Sequence, residues 1–482
     1  MTASFFWHDY ETFGANPRQD RPCQFAGIRT DTDLNPVGDP VELWCQPTDD
    51  MLPHPAACLI TGITPQRAAE CGMPEPQFIA AVLAELGKPG TCGVGYNSLR
   101  FDDEVTRHAA WRNFHDPYSR EWRNGCSRWD IIDMVRLTYA LRPDGIEWPL
   151  RDDGQPSFRL EHLAAANQLQ LDRAHDALSD VHTTIALARL IRDRQPRLYD
   201  YVVSNRDKQA ARSMLGLRQP QPVLHVSQKF PAAQGCLTVV LPLCAHPTNK
   251  NAVLVFDLRH HPQELLDLSA EDIQERIFTP TADLPEDVSR IPVKAVHINK
   301  CPVLAPLETL QAAQAQRLSL DLSACLQHAD LLRPHQPQVA EKLAEVFSTS
   351  FETGSDPEQD LYGGFIGDAD RRQCDKVLQS PPEALAGVQF DDPRLRELLF
   401  RYRARHHPQT LDAGEREEWQ QWRQRRLEFA PDGGLTLAEF QQLVTQLSDQ
   451  LAEPGEAPAA NGDTRRVLAD LQAWGERLQA SL

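Results

Sequence analysis

Residues 4–14 read SFFWHDYETFG. Side chains alternate along an extended strand, so Asp9 and Glu11 share one face. Their neighbours Phe5, Phe6, Trp7 and Tyr10 are bulky and apolar or aromatic, which predicts a buried strand. Two carboxylates held a few ångströms apart repel each other unless a cation sits between them. Oxygen ligands on a rigid strand suit a hard cation, Mg²⁺ or Mn²⁺. The plainer alternative is an edge strand carrying two solvated acids.

Outward from that strand, the first 200 or so residues alternate strand-like and helix-like segments, the pattern of a layered α/β domain. QFAGIRTD, PVELWCQP and TCGVGYNS read as strands; TPQRAAE, EPQFIAAVLAELGK and FDDEVTRHAAWRNF read as helices. SFRLEHLAAANQL and HDALSDVHTTIALARLIRDRQP read as two more helices, and Pro196 ends the second. The Pro-rich GLRQPQP marks a break, followed by the β-type runs VLHVS, CLTVVLPLCA, NAVLVFDL and VKAVHINKCPVLA. FETGSDPEQD reads as an acidic, turn-rich second linker, and AEPGEAPAANGD as a flexible low-complexity loop. From about Asp392 the chain reads as helical. The expected division is 1–204, a layered α/β domain; 205–350, a β-rich domain; and 351–482, a helical domain.

At 482 residues the chain is too long for one core, which agrees with that division. The 11 cysteines form no C-x-x-C pair, so no zinc knuckle is visible, and free thiols in that number suit a reducing cytoplasm. The start of the chain lacks the pattern of a signal peptide, and no stretch approaches a membrane span. The net charge of −19 argues against a nucleic-acid binder only weakly, because a groove needs no more than local basicity.

Further acids stand at Asp102 and Asp103, at the start of a helix that follows a strand. HDALSD places His175 five residues before Asp180. On a regular helix that separation leaves them roughly 140° apart, so they converge only if His175 precedes the regular turns. Alone, His175 reads as a surface or capping residue.

Taken together, D-Y-E-T-F-G, Y-N-x-x-x-F-D and H-D-A-x-x-D resemble the DEDDh exonucleases of the DnaQ-like, RNase H-type superfamily, in the family order. GYNSLRFDDEVTR, ALRPDGIEWP, DDGQPSFRLEHL, RQPRLYDY, HINKCPVLA and FRYRARHHPQTL extend the resemblance over nearly the full length, to the bacterial exonuclease I family. That resemblance implies an RNase H-like exonuclease domain, an SH3-like β-rich domain and a C-terminal helical domain. It implies Mg²⁺-dependent 3′→5′ hydrolysis of single-stranded DNA to 5′-mononucleotides, in DNA repair and recombination. Asp9, Glu11, Asp102 and Asp180 match the acids that hold two metal ions, and His175 matches the general base. Asp102 is chosen over Asp103 because it follows Phe101 as in the F-D pattern. Glu11 and Arg159 match substrate-contacting positions.

Single strands are gripped by positive charge interleaved with aromatic rings. Arg107, Trp111, Tyr118, Trp122, Trp129 and Arg136 supply both within thirty residues, although Trp111 and Trp129 read equally as core. By resemblance, Arg107, Tyr118, Trp122 and Arg136 contact DNA; further candidates are Tyr201, Lys208, Lys294, Asn299, Tyr362 and Phe365. Arg401, Arg403 and Arg405 fan around one half of a helix and read as a contact surface or a solvated face. Single-stranded DNA-binding protein is an expected partner by resemblance, and a monomer is expected. Two other functions remain open: an RNA-directed exonuclease of the same superfamily, and a catalytically silent single-strand binder. The presence of all five catalytic residue types weighs against the second.

Overall fold

The computed structural model describes residues 3–169, 176–348, 356–431, 433–452 and 462–482. His175, the first half of FETGSDPEQD and most of AEPGEAPAANGD lie outside them. The chain packs as two compact units, one drawn from 1–128, 172–182 and 352–482, the other from 129–171 and 183–351.

The first unit is built around β1 (Ser4–Thr12), the strand predicted from SFFWHDYETFG. β1 pairs antiparallel with β2 (Pro22–Thr30) and parallel with β4 (Thr91–Gly95). With β3 (Val41–Trp44) and β5 (Ser127–Asp130) the sheet order is β3-β2-β1-β4-β5. β1 is thus the central strand, which excludes the edge-strand alternative. Gly27 sits mid-strand in β2 because a Cβ there would stand 2.3 Å from the Phe6 ring.

Helices α1 (Pro55–Thr61), α2 (Pro65–Cys71), α3 (Glu75–Leu86) and α4 (Asp102–Arg112) follow. Phe78, Ile79, Val82 and Leu86 of α3 and Val105, Ala109 and Ala110 of α4 bury against Phe6, Tyr10 and Phe25 of the sheet. The C-terminal helices, Pro393–His406, Ala413–Phe429, Leu437–Ala452 and Gly462–Ala480, belong to this same unit. Phe440, Val444, Leu471 and Trp474 from the last two pack on Phe13, Cys23, Cys58 and Ile63. Each such fully buried large side chain contributes about 1.5–3 kcal/mol, so apolar burial accounts for this docking.

A network of buried ions lies in the same unit. Arg21 meets Glu358 at 2.6 Å and Glu75 at 3.5 Å, and Arg112 meets Glu75 at 2.5 Å. Arg401 meets Asp356 at 2.8 Å, and Arg405 meets Asp50 at 2.8 Å and Glu358 at 2.5 Å. Arg403 pairs with Glu415 at 2.6 Å. The side chains of Arg401, Arg403 and Arg405 are therefore buried, not a solvated face, and Asp356 and Glu358 of DPEQD are counter-ions of Arg401 and Arg405 rather than a linker's solvated charges.

The second unit holds α5 (Ile132–Leu141), α6 (Leu160–Ala166) and most of α7 (Ala177–Arg194). Its sheet has the order β10-β6-β7-β8-β9, every pairing antiparallel, from β6 (Val223–Val226), β7 (Leu237–Ala245), β8 (Ala252–Asp257), β9 (Val293–His297) and β10 (Leu304–Ala305). All four predicted β-runs are present, and VKAVHINKCPVLA supplies two strands rather than one. Trp129 is 1% exposed in this unit and Trp111 is buried in the first, so both are core residues.

A carboxylate cluster as candidate active site

β1 presents Asp9 and Glu11 on one face, as its alternation requires. α7 brings Asp180 to them in its first turn. One oxygen from each of Asp9, Glu11 and Asp180 lies within 4.8 Å of the others. Asp102 joins from the first turn of α4: its Oδ1 accepts the backbone N–H of Tyr10, between the two strand acids, at 3.0 Å. The Thr106 hydroxyl, one turn along α4, donates to the Asp102 carbonyl at 2.8 Å and lies 3.0 Å from the Tyr10 hydroxyl. The turn that leads into α4 contains Asn97 at φ 59°, a left-handed conformation that asparagine tolerates.

The acids of the cluster repel one another. Burial, then repulsion from Asp102, Glu11 and Asp180, pushes Asp9 well above the usual carboxylate range. Burial, then Asp180, Asp102 and Asp176, pushes Glu11 up to about 9. His8, on the opposite face of β1, adds no positive charge, because burial and then Arg120 lower it to about 4. An all-oxygen donor set with raised pKa values is what a site for a hard divalent cation looks like without its ion.

Asp103 has a different role from its neighbour. Its Oδ2 accepts from Arg128 at 2.7 Å and its Oδ1 from Arg120. Burial opposes its ionisation, but Arg120, Arg128 and Arg107 outweigh that and hold it well below the usual range. Asp102, the residue chosen from the F-D pattern, faces β1, whereas Asp103 faces Arg120 and Arg128. Asp176 escaped the sequence reading as a contributor, although it lies inside the quoted HDALSD. Arg120 and Arg128 left no signal in the sequence that linked them to Asp103.

The remaining predicted residues divide by setting. In the first unit, Trp122 is 64% and Phe365 94% exposed, and with Tyr118 and Tyr362 they line a cavity of about 480 Å³. Arg107 is buried and paired with Glu104 at 2.7 Å and Glu121 at 2.8 Å. In the second unit, Arg136 is buried, paired with Asp133 at 2.6 Å, and lies over the Phe158 ring. Arg159 is the N-cap residue of α6 with an exposed side chain. The Tyr201 hydroxyl donates to the Leu304 carbonyl at 2.9 Å, and Lys208 Nζ donates to Asn251 Oδ1 at 2.6 Å. Lys294 Nζ lies 2.8 Å from His225 Nε2, and Asn299 is half-buried.

Comparison with known proteins agrees along the chain. Residues 6–188 match an exonuclease family, 206–349 the exonuclease I SH3-like domain and 355–478 the exonuclease I C-terminal domain. Exodeoxyribonuclease I of Escherichia coli is 46% identical over 452 residues, 93% of this chain and 94% of that protein. The crystal structure of E. coli exonuclease I in complex with a dA16 oligonucleotide superposes with a TM-score of 0.92 at 43% identity, covering 99% of this chain and 100% of that one. A moderately thermophilic exonuclease I from Methylocaldum szegediense gives 0.92 at 50% identity, with 99% of both chains covered. With three successive domains matched, and near-complete coverage at this identity, the chain belongs to the exonuclease I family.

Proposed function

We propose that this protein is an exodeoxyribonuclease I that hydrolyses single-stranded DNA from its 3′ end and releases 5′-mononucleotides. The observation that carries the reading is the convergence of Asp9, Glu11 and Asp180 within 4.8 Å, with Asp102 tied to the same strand. The donor set is all oxygen, so Mg²⁺ is the proposed metal, two ions per site, with Mn²⁺ able to replace it. Bound divalent ions supply the Lewis acidity that activates water and steadies charge on a phosphate. The chain's residues do the rest. Asp9, Glu11, Asp102 and Asp180 would hold the ions, and the Tyr10 N–H fixes Asp102. His175 takes the water's proton at a ring nitrogen. Glu11 and Arg159 meet the terminal nucleotide.

Strand binding is assigned to rings and cations. Tyr118, Trp122, Tyr362 and Phe365 stack bases; Tyr201, Lys208, Lys294 and Asn299 follow the backbone. Arg107 and Arg136 serve from beneath the surface through the groups that they hold. The domain division at 204 and 350, action in the cytoplasm in repair and recombination, a monomeric state and recruitment by single-stranded DNA-binding protein complete the proposal. They are supported by the family resemblance; among the described residues no helix is long and apolar enough to cross a membrane.

The test is degradation of end-labelled single-stranded DNA, duplex DNA and RNA, each with Mg²⁺ and with EDTA. Mg²⁺-dependent release of mononucleotides from the 3′ end of single-stranded DNA alone is expected. Equal activity on RNA, or label released from the 5′ end at the first turnover, would refute the substrate or the polarity.

A further inference from the structure

Three consecutive acids open α4, and each faces a different partner. Asp102 belongs to the metal cluster and Asp103 to Arg120 and Arg128. Glu104 faces Tyr362, which lies 258 residues further along the chain: its Oε2 accepts the Tyr362 hydroxyl at 2.7 Å. Its Oε1 accepts from Arg107 at 2.7 Å, and the same Arg107 nitrogen lies 3.2 Å from the Tyr362 hydroxyl. His108 meets the Tyr362 ring edge-on at 5.9 Å. Residues 104, 107 and 108 share one helical face, so that face of α4 forms a seat for one tyrosine.

Arg107 extends the seat. It grips Glu121 through two nitrogens, at 2.8 and 3.1 Å, and lies 5.4 Å from the Tyr118 ring centre. A residue whose only task was to dock the C-terminal segment would bury its ring. Tyr362 does not: its hydroxyl is tied down while 46% of the residue is exposed, with the Arg18 guanidinium 5.6 Å from its ring centre, beside the cavity it shares with Trp122 and Phe365.

We infer that Glu104 is a positioning residue for the DNA strand: it holds Tyr362, with Arg107, at the angle at which a base stacks on the ring. This rests on the reading of Tyr362 as a base-stacking residue. It places strand grip and a metal ligand on one helical turn, since Glu104 and Asp102 are separated by a single residue.

The experiment measures binding of fluorescein-labelled oligothymidylate to the full chain in EDTA, and steady-state hydrolysis with Mg²⁺. The variants are Glu104→Ala, Tyr362→Phe, their double and Tyr362→Ala. Tyr362→Phe keeps the ring and removes only the tie, at a half-exposed position, so it remains informative if Glu104→Ala folds poorly. Each single change should raise Kd by roughly five- to tenfold, most of the worth of one stacked base. The double should be no weaker than the worse single, because both cut one tie. KM should rise while kcat stays within about twofold. If Tyr362→Ala weakens binding but Glu104→Ala and Tyr362→Phe do not, the positioning role is wrong and the stacking role stands. If Tyr362→Ala binds like wild type, both roles fall, and the nuclease reading is untouched. Additive losses, or a fall in kcat at constant KM, would overturn the inference as well.

Discussion

Two groups of carboxylates, one buried among arginines and one partly buried at β1, lie in the same unit and differ in their electrostatics. Around Glu358, every acid has a guanidinium at hand. Burial opposes ionisation there, but Arg21, Arg405 and Arg401 overcome it and hold Glu358 well below the usual range. Asp50 is likewise depressed, through Arg405, Arg426 and Arg21 against its burial. At the β1 cluster, Asp9, Glu11, Asp102 and Asp180 face one another, and the two strand acids are pushed upward. For Glu358 and Asp50 the neighbouring guanidiniums outweigh burial, for Glu75 burial prevails over Arg21, and for Asp9 and Glu11 burial and like charge act together. The paired group is a structural joint between the sheet and the C-terminal helices. The second group, whose strand acids are raised by burial and by one another, is the proposed cation site.

The comparison breaks most visibly if the β1 cluster is reduced. Asp9→Ala or Asp180→Ala should lower hydrolysis by at least about a thousandfold, since the bound ions supply several kcal/mol of transition-state stabilisation. Binding of single-stranded DNA should persist. Near-normal turnover in either variant would sink the two-metal assignment. His175→Ala should cost a factor of about 10²–10⁴, the range for a positioned base, with Mn²⁺ affinity unchanged by calorimetry. A variant that loses metal instead would make His175 a ligand.

The paired group responds in stability rather than rate. Glu358→Ala removes a carboxylate shared by Arg21, Arg401 and Arg405, leaving Glu75, Asp356 and Asp50 against three buried guanidiniums, and breaking such a pairing costs about 3–5 kcal/mol. Denaturant unfolding should show that loss with or without Mg²⁺. If saturating Mg²⁺ restored the stability of Glu358→Ala, the two groups would not be separable as drawn here.

How far the sequence discloses these groups follows from distance along the chain. The strand acids are legible because alternation over eleven residues puts Asp9 and Glu11 on one face, and the family order then finds Asp102 and Asp180. The elements are legible for the same local reason: the predicted strands and the four C-terminal helices all appear. The joint is not legible. Arg21 and Glu358 are 337 residues apart, and Arg405 and Asp50 are 355 apart. No periodicity connects such pairs, so Arg401, Arg403 and Arg405 read as a surface face and DPEQD as a linker. The buried state of Arg107 is hidden too, because Glu104, Glu121 and Tyr362 only converge in three dimensions.

The finest test of the contrast is thermal stability against pH, where the two groups should slope in opposite directions. Glu11 rises from an ordinary 4.5 to about 9 in the folded protein. Between those values the folded, metal-free protein keeps a proton on Glu11 that the unfolded chain has already released. Unfolding therefore releases a proton in this window, and raising the pH favours the unfolded state. Glu358 is shifted the other way, so its contribution is present above the ordinary glutamate range and is lost as the pH falls below it. In EDTA, Tm should decline from pH 5 towards pH 9, and Mg²⁺ should flatten the decline by supplying the missing positive charge. Glu11→Gln cannot ionise at that position. It should raise Tm in EDTA at pH 8 by about 2–4 °C, the shift expected per kcal/mol in a domain of this size, and it should flatten the alkaline slope without added metal. A Glu11→Gln protein less stable than wild type in EDTA at pH 8 would mean that the acids of β1 are already compensated, and the cluster would then be a joint of the same kind as the one around Glu358.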